Sequence, residues 1–144
     1  MNYLFGFPVG VYKIDSNDYD KEKIVSDIIY NYNIDVNRNK WDDFSNLHHQ
    51  YGDNDNDKFI KINYSKLFPL YDEKVRKYLN NFKFKKDFHY KFKIVNYTCA
   101  GKGQYMKKHI HPGCAFSGVH YIKFNEKEHM GTTFHNRHPH IEFI

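Results

Sequence analysis

The hydrophobic positions of this chain change period once, after Lys86, and the change divides it. Ahead of that point, "FPVGVYKI" (Phe7 to Ile14) reads as an opening strand, with Pro8 suited to its first residues or to an edge. Ser16, Asn17 or Asp18 then offers an N-cap, acidic residues follow, and Ile24, Ile28, Ile29 and Tyr32 recur at helical spacing. A second helical stripe, Leu67, Leu70, Tyr71, Val75, Tyr78, Leu79 and Phe82, predicts a helix from near Ser65 to Phe82. Pro69 falls in its first turn, where no donor is lost. Beyond Lys86 the period drops to 2. Phe88, Tyr90, Phe92 and Ile94 alternate with His89, Lys91 and Lys93, as in a half-buried strand. Turns at Gly101–Gly103 and Pro112–Gly113 delimit two more predicted strands, "QYMKKHIH" and "AFSGVHYIKF", and "GTTFH" and "PHIEFI" continue the pattern. Helices first and β structure second predict an α+β fold on a sheet or barrel.

The length, 144 residues, is that of one domain able to fold without a disulfide or structural metal. Thirteen Tyr and thirteen Phe mean a core filled by rings, which favours strands. A net charge of +5 is spread along the chain without a nucleic-acid-binding motif, so nucleic acid is not the expected partner. Cys99 and Cys114 lack CxxC or ribbon spacing, which points to reduced thiols and a cytoplasmic setting. No apolar run approaches the ~18 residues of a membrane helix, and no membrane partner is expected. The polar stretch from Asn37 to Lys58 holds the single Trp41 and "GDNDNDK". That run fails as an EF-hand, because Lys58 stands where Gly is needed and Tyr64 where the bidentate Glu is needed, so it reads as a solvated loop.

Candidate chemistry begins at "KKHIHPGC". In a strand, residues i and i+2 share a face, so His109 and His111 project together with Tyr105 and Lys107 and can present two imidazole nitrogens to one metal. By itself H-x-H is a weak signal. The other histidines read as unremarkable: His48 and His49 solvated in a polar loop, His89 on a Lys-bearing face, His129 in a turn, and His120 partly buried and satisfied. "HNRHPH" reads as a surface turn, and Cys114 as a small packing residue.

The segment "NYTCAGKGQYMKKHIHPGCAFSGVHYIKFNEKEHMGTTF" resembles a family of Fe(II)- and 2-oxoglutarate-dependent oxygenases. In that family a Gly-containing turn leads to H-x-H-P, then an S-G-V-x-Y strand, then G-x-x-x-F. Gly103, His109, His111, Pro112, Ser117, Gly118, Val119, Tyr121, Gly131 and Phe134 carry the match. "LFGFPVGVYKI", followed by a helix and Trp41, resembles the family's N-terminus. The resemblance implies a double-stranded β-helix (jelly-roll), in which residues 1–86 give a strand and helical support and 87–144 the first barrel strands of one domain spanning 1–144. It implies Fe(II) held by His109 and His111, with 2-oxoglutarate as co-substrate. Tyr97, Tyr105 and Tyr121 would line the pocket, and a Tyr hydroxyl or Lys107 would bond the co-substrate. The activity implied is hydroxylation of an unidentified substrate, small molecule or protein.

Two departures accompany the resemblance. His111 stands where the superfamily usually places a carboxylate. A jelly-roll needs eight strands, whereas 88–144 supplies about five, so the distal histidine and the basic co-substrate anchor are expected beyond Ile144. Three arrangements stay open: a truncated form, completion by another chain, or use of His135, His138 or His140. Unfinished strands and the apolar "PHIEFI" predict homodimerisation through the C-terminal half. Two other functional classes fit the same residues: a cupin-like metal protein, since five residues separate Gly103 from H-x-H, and a non-catalytic jelly-roll interaction module.

Overall fold

The structure is a computed structural model of the chain and describes residues 2–4, 7–36, 39–40, 46–51, 58–82 and 89–135. It has two helices and small antiparallel sheets, an α+β fold as expected, although of the five strands among the described residues four precede Lys86 and only Asn96–Cys99 follows it. Strand β1 (Asn2–Leu4) pairs with β2 (Phe7–Val9), Leu4 lying opposite Phe7. The predicted strand to Ile14 stops at Val9, because the chain beyond it meets side chains of the second helix and no strand partner. There the Tyr78 hydroxyl donates to the Pro8 carbonyl at 3.0 Å, and the Tyr12 and Tyr78 rings crowd Gly10 so closely that a Cβ would lie 2.7 Å from each.

Helix α1 (Lys21–Ile34) begins later than the predicted caps. Residues 16–20 form a turn instead, closed by Asp15, whose Oδ1 accepts from the Asn17 amide at 2.9 Å and whose carbonyl accepts from the Asp18 amide at 3.2 Å. Local side-chain bonds of this kind compete with helix nucleation. The face α1 buries runs through Ile24, Asp27 and Asn31, so Ile29, counted in the predicted stripe, is exposed. Two of those buried residues are polar and both are satisfied; Lys23 bonds Asp27 at 2.5 and 2.7 Å. Helix α2 (Leu67–Leu79) carries Pro69 in its first turn and Arg76 and Lys77 in its last, where cations meet the negative end of the helix dipole.

A three-stranded antiparallel sheet orders β3 (Asn39–Lys40), β4 (Asn46–Tyr51) and β5 (Asn96–Cys99). Across β4 and β5, His48 faces Cys99, His49 faces Thr98 and Gln50 faces Tyr97. The core packs Tyr19, Ile24, Ile62 and Leu67 with Ile28, Leu70, Tyr71, Tyr97 and Ile122, drawing on segments from both sides of the period change.

The β reading of the second half needs correction. Residues 89–95 do alternate, with Tyr90, Phe92 and Ile94 half-buried and His89, Lys91, Lys93 and Val95 exposed, but they join no ladder; pairing starts at Asn96. Residues 104–135 form no strand at "QYMKKHIH", "AFSGVHYIKF" or "GTTFH". Ile110, Phe116, Val119, Tyr121 and Phe134 are all exposed there. A period-2 pattern becomes a strand only when a layer covers its apolar face and a neighbour takes its amides, and among the described residues this segment has neither. Trp41, the acidic run 53–57, Phe88 and "PHIEFI", on which the predicted self-association rests, lie outside the described residues. Among the described residues no helix is long and apolar enough to cross a membrane.

Candidate metal centre

The H-x-H element is reached through a turn built on Gly101 and Gly103. After β5 the chain reverses: the Gln104 amide donates to the Gly101 carbonyl at 3.1 Å, and the Gln104 side-chain oxygen accepts from the Gly101 amide at 2.6 Å. Gly103 sits at φ +75°, a left-handed conformation that glycine adopts without steric cost. The Tyr32 hydroxyl of α1 reaches the same Gln104 oxygen at 3.4 Å, linking the turn to the helix.

Seven residues past Lys102, His109 turns its Nδ1 onto the Lys107 carbonyl at 2.8 Å. A carbonyl only accepts, so Nδ1 carries the proton and Nε2 holds the lone pair, the tautomer that lets Nε2 ligate a metal. His109 Nε2 lies 3.2 Å from His111 Nε2, with the rings edge to face and their centroids 4.8 Å apart. In the absence of a metal, His111 Nε2–H donates across that gap; ligation requires His111 to place its proton on Nδ1. Two nitrogens at metal distances of about 2.1 Å stand about 3.0 Å apart at a right angle and about 3.4 Å apart at the tetrahedral angle. The observed separation lies between these. Both rings are exposed, and the turn that follows has Gly113 at φ +78°. Cys114 is exposed and donates its thiol to the His111 carbonyl at 3.2 Å, so it bonds the backbone of the H-x-H element and does not fill a core position.

The expected pairing of His109 with His111 is therefore present, without the strand that was to align them. The expected pocket residues scatter. Tyr97 turns into a separate buried cluster, Tyr105 is exposed, Lys107 contributes its carbonyl to His109, and the Tyr121 hydroxyl bonds Thr132. Among the described residues no three His, Cys, Asp or Glu side chains converge to hold an ion. His135 is exposed, and His138 and His140 lie outside the described residues.

The larger correction concerns His48 and His49, which are 0% and 6% exposed in β4 and not solvated in a loop. His48 Nδ1 meets Asp35 at 2.6 Å, and its Nε2 meets the Tyr97 hydroxyl at 3.0 Å. With the carboxylate accepting from Nδ1–H, Nε2 accepts from Tyr97. Asn31 completes the set, donating to Tyr97 at 2.7 Å and to the Ile60 carbonyl at 2.8 Å while accepting from the Ile60 amide at 2.8 Å. Burial raises the Tyr97 pKa, with the Asn31 hydrogen bond acting the other way. His49, on the opposite face, bonds Thr98 through Nδ1 at 2.8 Å. Burial lowers its pKa first, and positive charge on His109 or His48 acts in the same direction.

His120 is half-buried as expected. Burial pushes the Tyr71 hydroxyl up to about 12, so Tyr71 keeps its proton and donates to His120 Nδ1 at 2.8 Å. The signal for the β4 histidines was weak, because "NLHHQY" shows no apolar alternation and its partners come from distant segments. Comparison with protein-family models, with curated proteins and with solved structures finds no match to this chain.

Proposed function

We propose that this chain is a metal-dependent protein of the Fe(II)- and 2-oxoglutarate-dependent oxygenase type, with His109 and His111 as two ligands of one divalent ion. The observation that carries the reading is the 3.2 Å separation of the two Nε2 atoms, the spacing of neighbouring ligands on a single metal, together with the Lys107 carbonyl that holds His109 in the ligating tautomer. Two imidazoles suit a first-row transition ion better than magnesium or calcium, which prefer oxygen. In the jelly-roll arrangement proposed with this activity, the strands around 104–135 would form against further β structure covering their apolar side chains.

When bound, Fe(II) with 2-oxoglutarate supplies oxidation of a C–H bond by O2, coupled to conversion of the co-substrate to succinate and CO2. The chain's own residues bind and orient. His109 presents a lone pair, His111 does so once its proton sits on Nδ1, and Lys107 supplies a cation for a dicarboxylate co-substrate. Anaerobic Fe(II) titration of the full chain is expected to reveal one site, weakened roughly 10- to 100-fold when either His109 or His111 is replaced by Ala. A rise in melting temperature with 2-oxoglutarate, seen only with metal present, is expected alongside. Equal Fe(II) affinity in the wild type and the His109→Ala/His111→Ala variant overturns the reading; metal binding indifferent to 2-oxoglutarate favours the cupin-like alternative.

A further inference from the structure

A second cluster lies away from the H-x-H element, where α2 meets the extended segment 89–95. It surrounds an open cavity of about 410 Å3 lined by Asp72, Arg76, His89, Tyr90, Lys91 and Phe92. That volume falls in the ordinary range of small-ligand sites, roughly 300–1,000 Å3.

Asp72 organises the cluster. Its Oδ2 accepts from Arg76 Nε at 2.7 Å and its Oδ1 from the Tyr90 hydroxyl at 2.7 Å. The Arg76 hydrogen bond, and after it the Tyr90 one, hold the Asp72 carboxyl below its usual pKa, so it stays ionised and keeps both partners in place. The guanidinium lies over the Tyr90 ring, 5.6 Å from its centroid. Asp72 engages Nε, which leaves the Nη1 and Nη2 amino groups at the end of a side chain 66% exposed. Two amino groups on a braced guanidinium match the paired oxygens of a phosphate. Beside it, Tyr90 and Phe92 are near-parallel, 26° apart with centroids at 6.5 Å, and the Phe68 ring lies 5.9 Å from Phe92, tilted by 37°. The period-2 backbone puts Tyr90 and Phe92 on one side and alternates them with Lys91 and Lys93. Of the lining residues, Arg76 and Lys91 are cationic and Asp72 anionic, with Asp72 already engaged by Arg76 and Tyr90.

We propose that this cleft binds a nucleobase joined to a phosphate, the base stacking on the Tyr90–Phe92 row and the phosphate meeting Arg76, with Lys91, which also lines the cleft, adding positive charge at its rim. Stacking accepts any base, and a row of rings flanked by cations is how single strands are held without sequence preference. Free nucleotides and single-stranded nucleic acid share this chemistry. The reading is independent of the metal centre.

The test uses the full chain with two probes: uridine monophosphate by calorimetry, and a fluorescein-labelled twelve-residue oligothymidylate by anisotropy. Saturable binding of either supports the proposal, and the probe that binds identifies the source. Arg76→Ala and Tyr90→Leu are each expected to weaken binding at least fivefold, whereas His109→Ala leaves it unchanged. For the oligonucleotide, one phosphate contact predicts a roughly 2.6-fold loss between 50 and 200 mM salt. Lys91→Glu, an exposed change that leaves the Asp72 brace intact, is expected to weaken binding with unaltered thermal unfolding, which separates a binding effect from misfolding. Absence of saturable binding for both probes, or equal binding by wild type and Lys91→Glu, overturns the proposal.

Discussion

Replacing Asn31 by Ala removes a side chain that is fully buried and makes three hydrogen bonds, two with the Ile60 backbone and one with the Tyr97 hydroxyl. The magnitude follows from what each partner does next. Ile60 is 38% exposed, so its amide and carbonyl regain water and each lost bond costs near the ordinary net value, about 0.5–1.5 kcal/mol. Tyr97 keeps its bond to His48 but loses the donor to its oxygen, for about 1 kcal/mol more. The sum is about 2–4 kcal/mol, which in a domain of this size corresponds to roughly 4–16 °C in melting temperature. Urea titration followed by circular dichroism is expected to show a lower midpoint with an unchanged slope, the mark of a loss in stability and not of a different native state. Asn31→Asp serves as a second reading: it retains the acceptor for the Ile60 amide, loses both donors and sets a carboxylate against the Ile60 carbonyl, so it should do no better than Ala. A loss under 1 kcal/mol for both variants refutes the claim that this network joins α1 to β5 and to the segment around Ile60.

Gly101→Ala places a Cβ 2.6 Å from the Tyr32 hydroxyl and is expected to cost about 1–3 kcal/mol by overpacking, measured by urea titration; Gly101→Ala combined with Tyr32→Phe should recover part of that loss. Gly103→Ala meets open space but a φ of +75°, so its cost is the left-handed backbone alone, about 1–2 kcal/mol. His120 has its pKa lowered, by burial first and then by Lys21, so the folded state binds its proton less readily than the unfolded chain does. The stability tied to this group is therefore fully present above the unfolded value of about 6.5 and lost as pH falls below it; His120→Gln should flatten the pH dependence of the urea midpoint below pH 6.5, and an unchanged slope counts against the assignment.

Legibility followed the kind of interaction that decides each element. Both helices were readable because apolar side chains at three- and four-residue steps pack on a core whatever its shape. Pro69 was placed correctly because its constraint is local. The start of α1 was not, since Asp15 closes its own turn before the caps that follow it can act. In 89–95 the alternation correctly gave the half-buried side, but a ladder depends on a partner strand that no local pattern reveals. His109 and His111 do lie together, but the strand from which their shared face was expected does not form. The burial of His48 was not legible, because its partners, Asp35 and Tyr97, stand 13 and 49 residues away and a polar string looks the same whether water or protein satisfies it.

The two adjacent histidines of β4 also bear on how the chain avoids misalignment. "NLHHQY" lacks the hydrophobic rhythm that normally tells a strand which side faces inward. A shift of one residue along β5 would exchange the sides of His48 and His49, and their requirements differ: one imidazole answers a carboxylate and a phenol, the other a threonine hydroxyl. Each shifted histidine would be buried away from its acceptor or donor, a penalty incurred twice by a single slip. The pair thus works as a two-sided key, adding polar mismatch on both faces to the selection exerted by the buried Leu47.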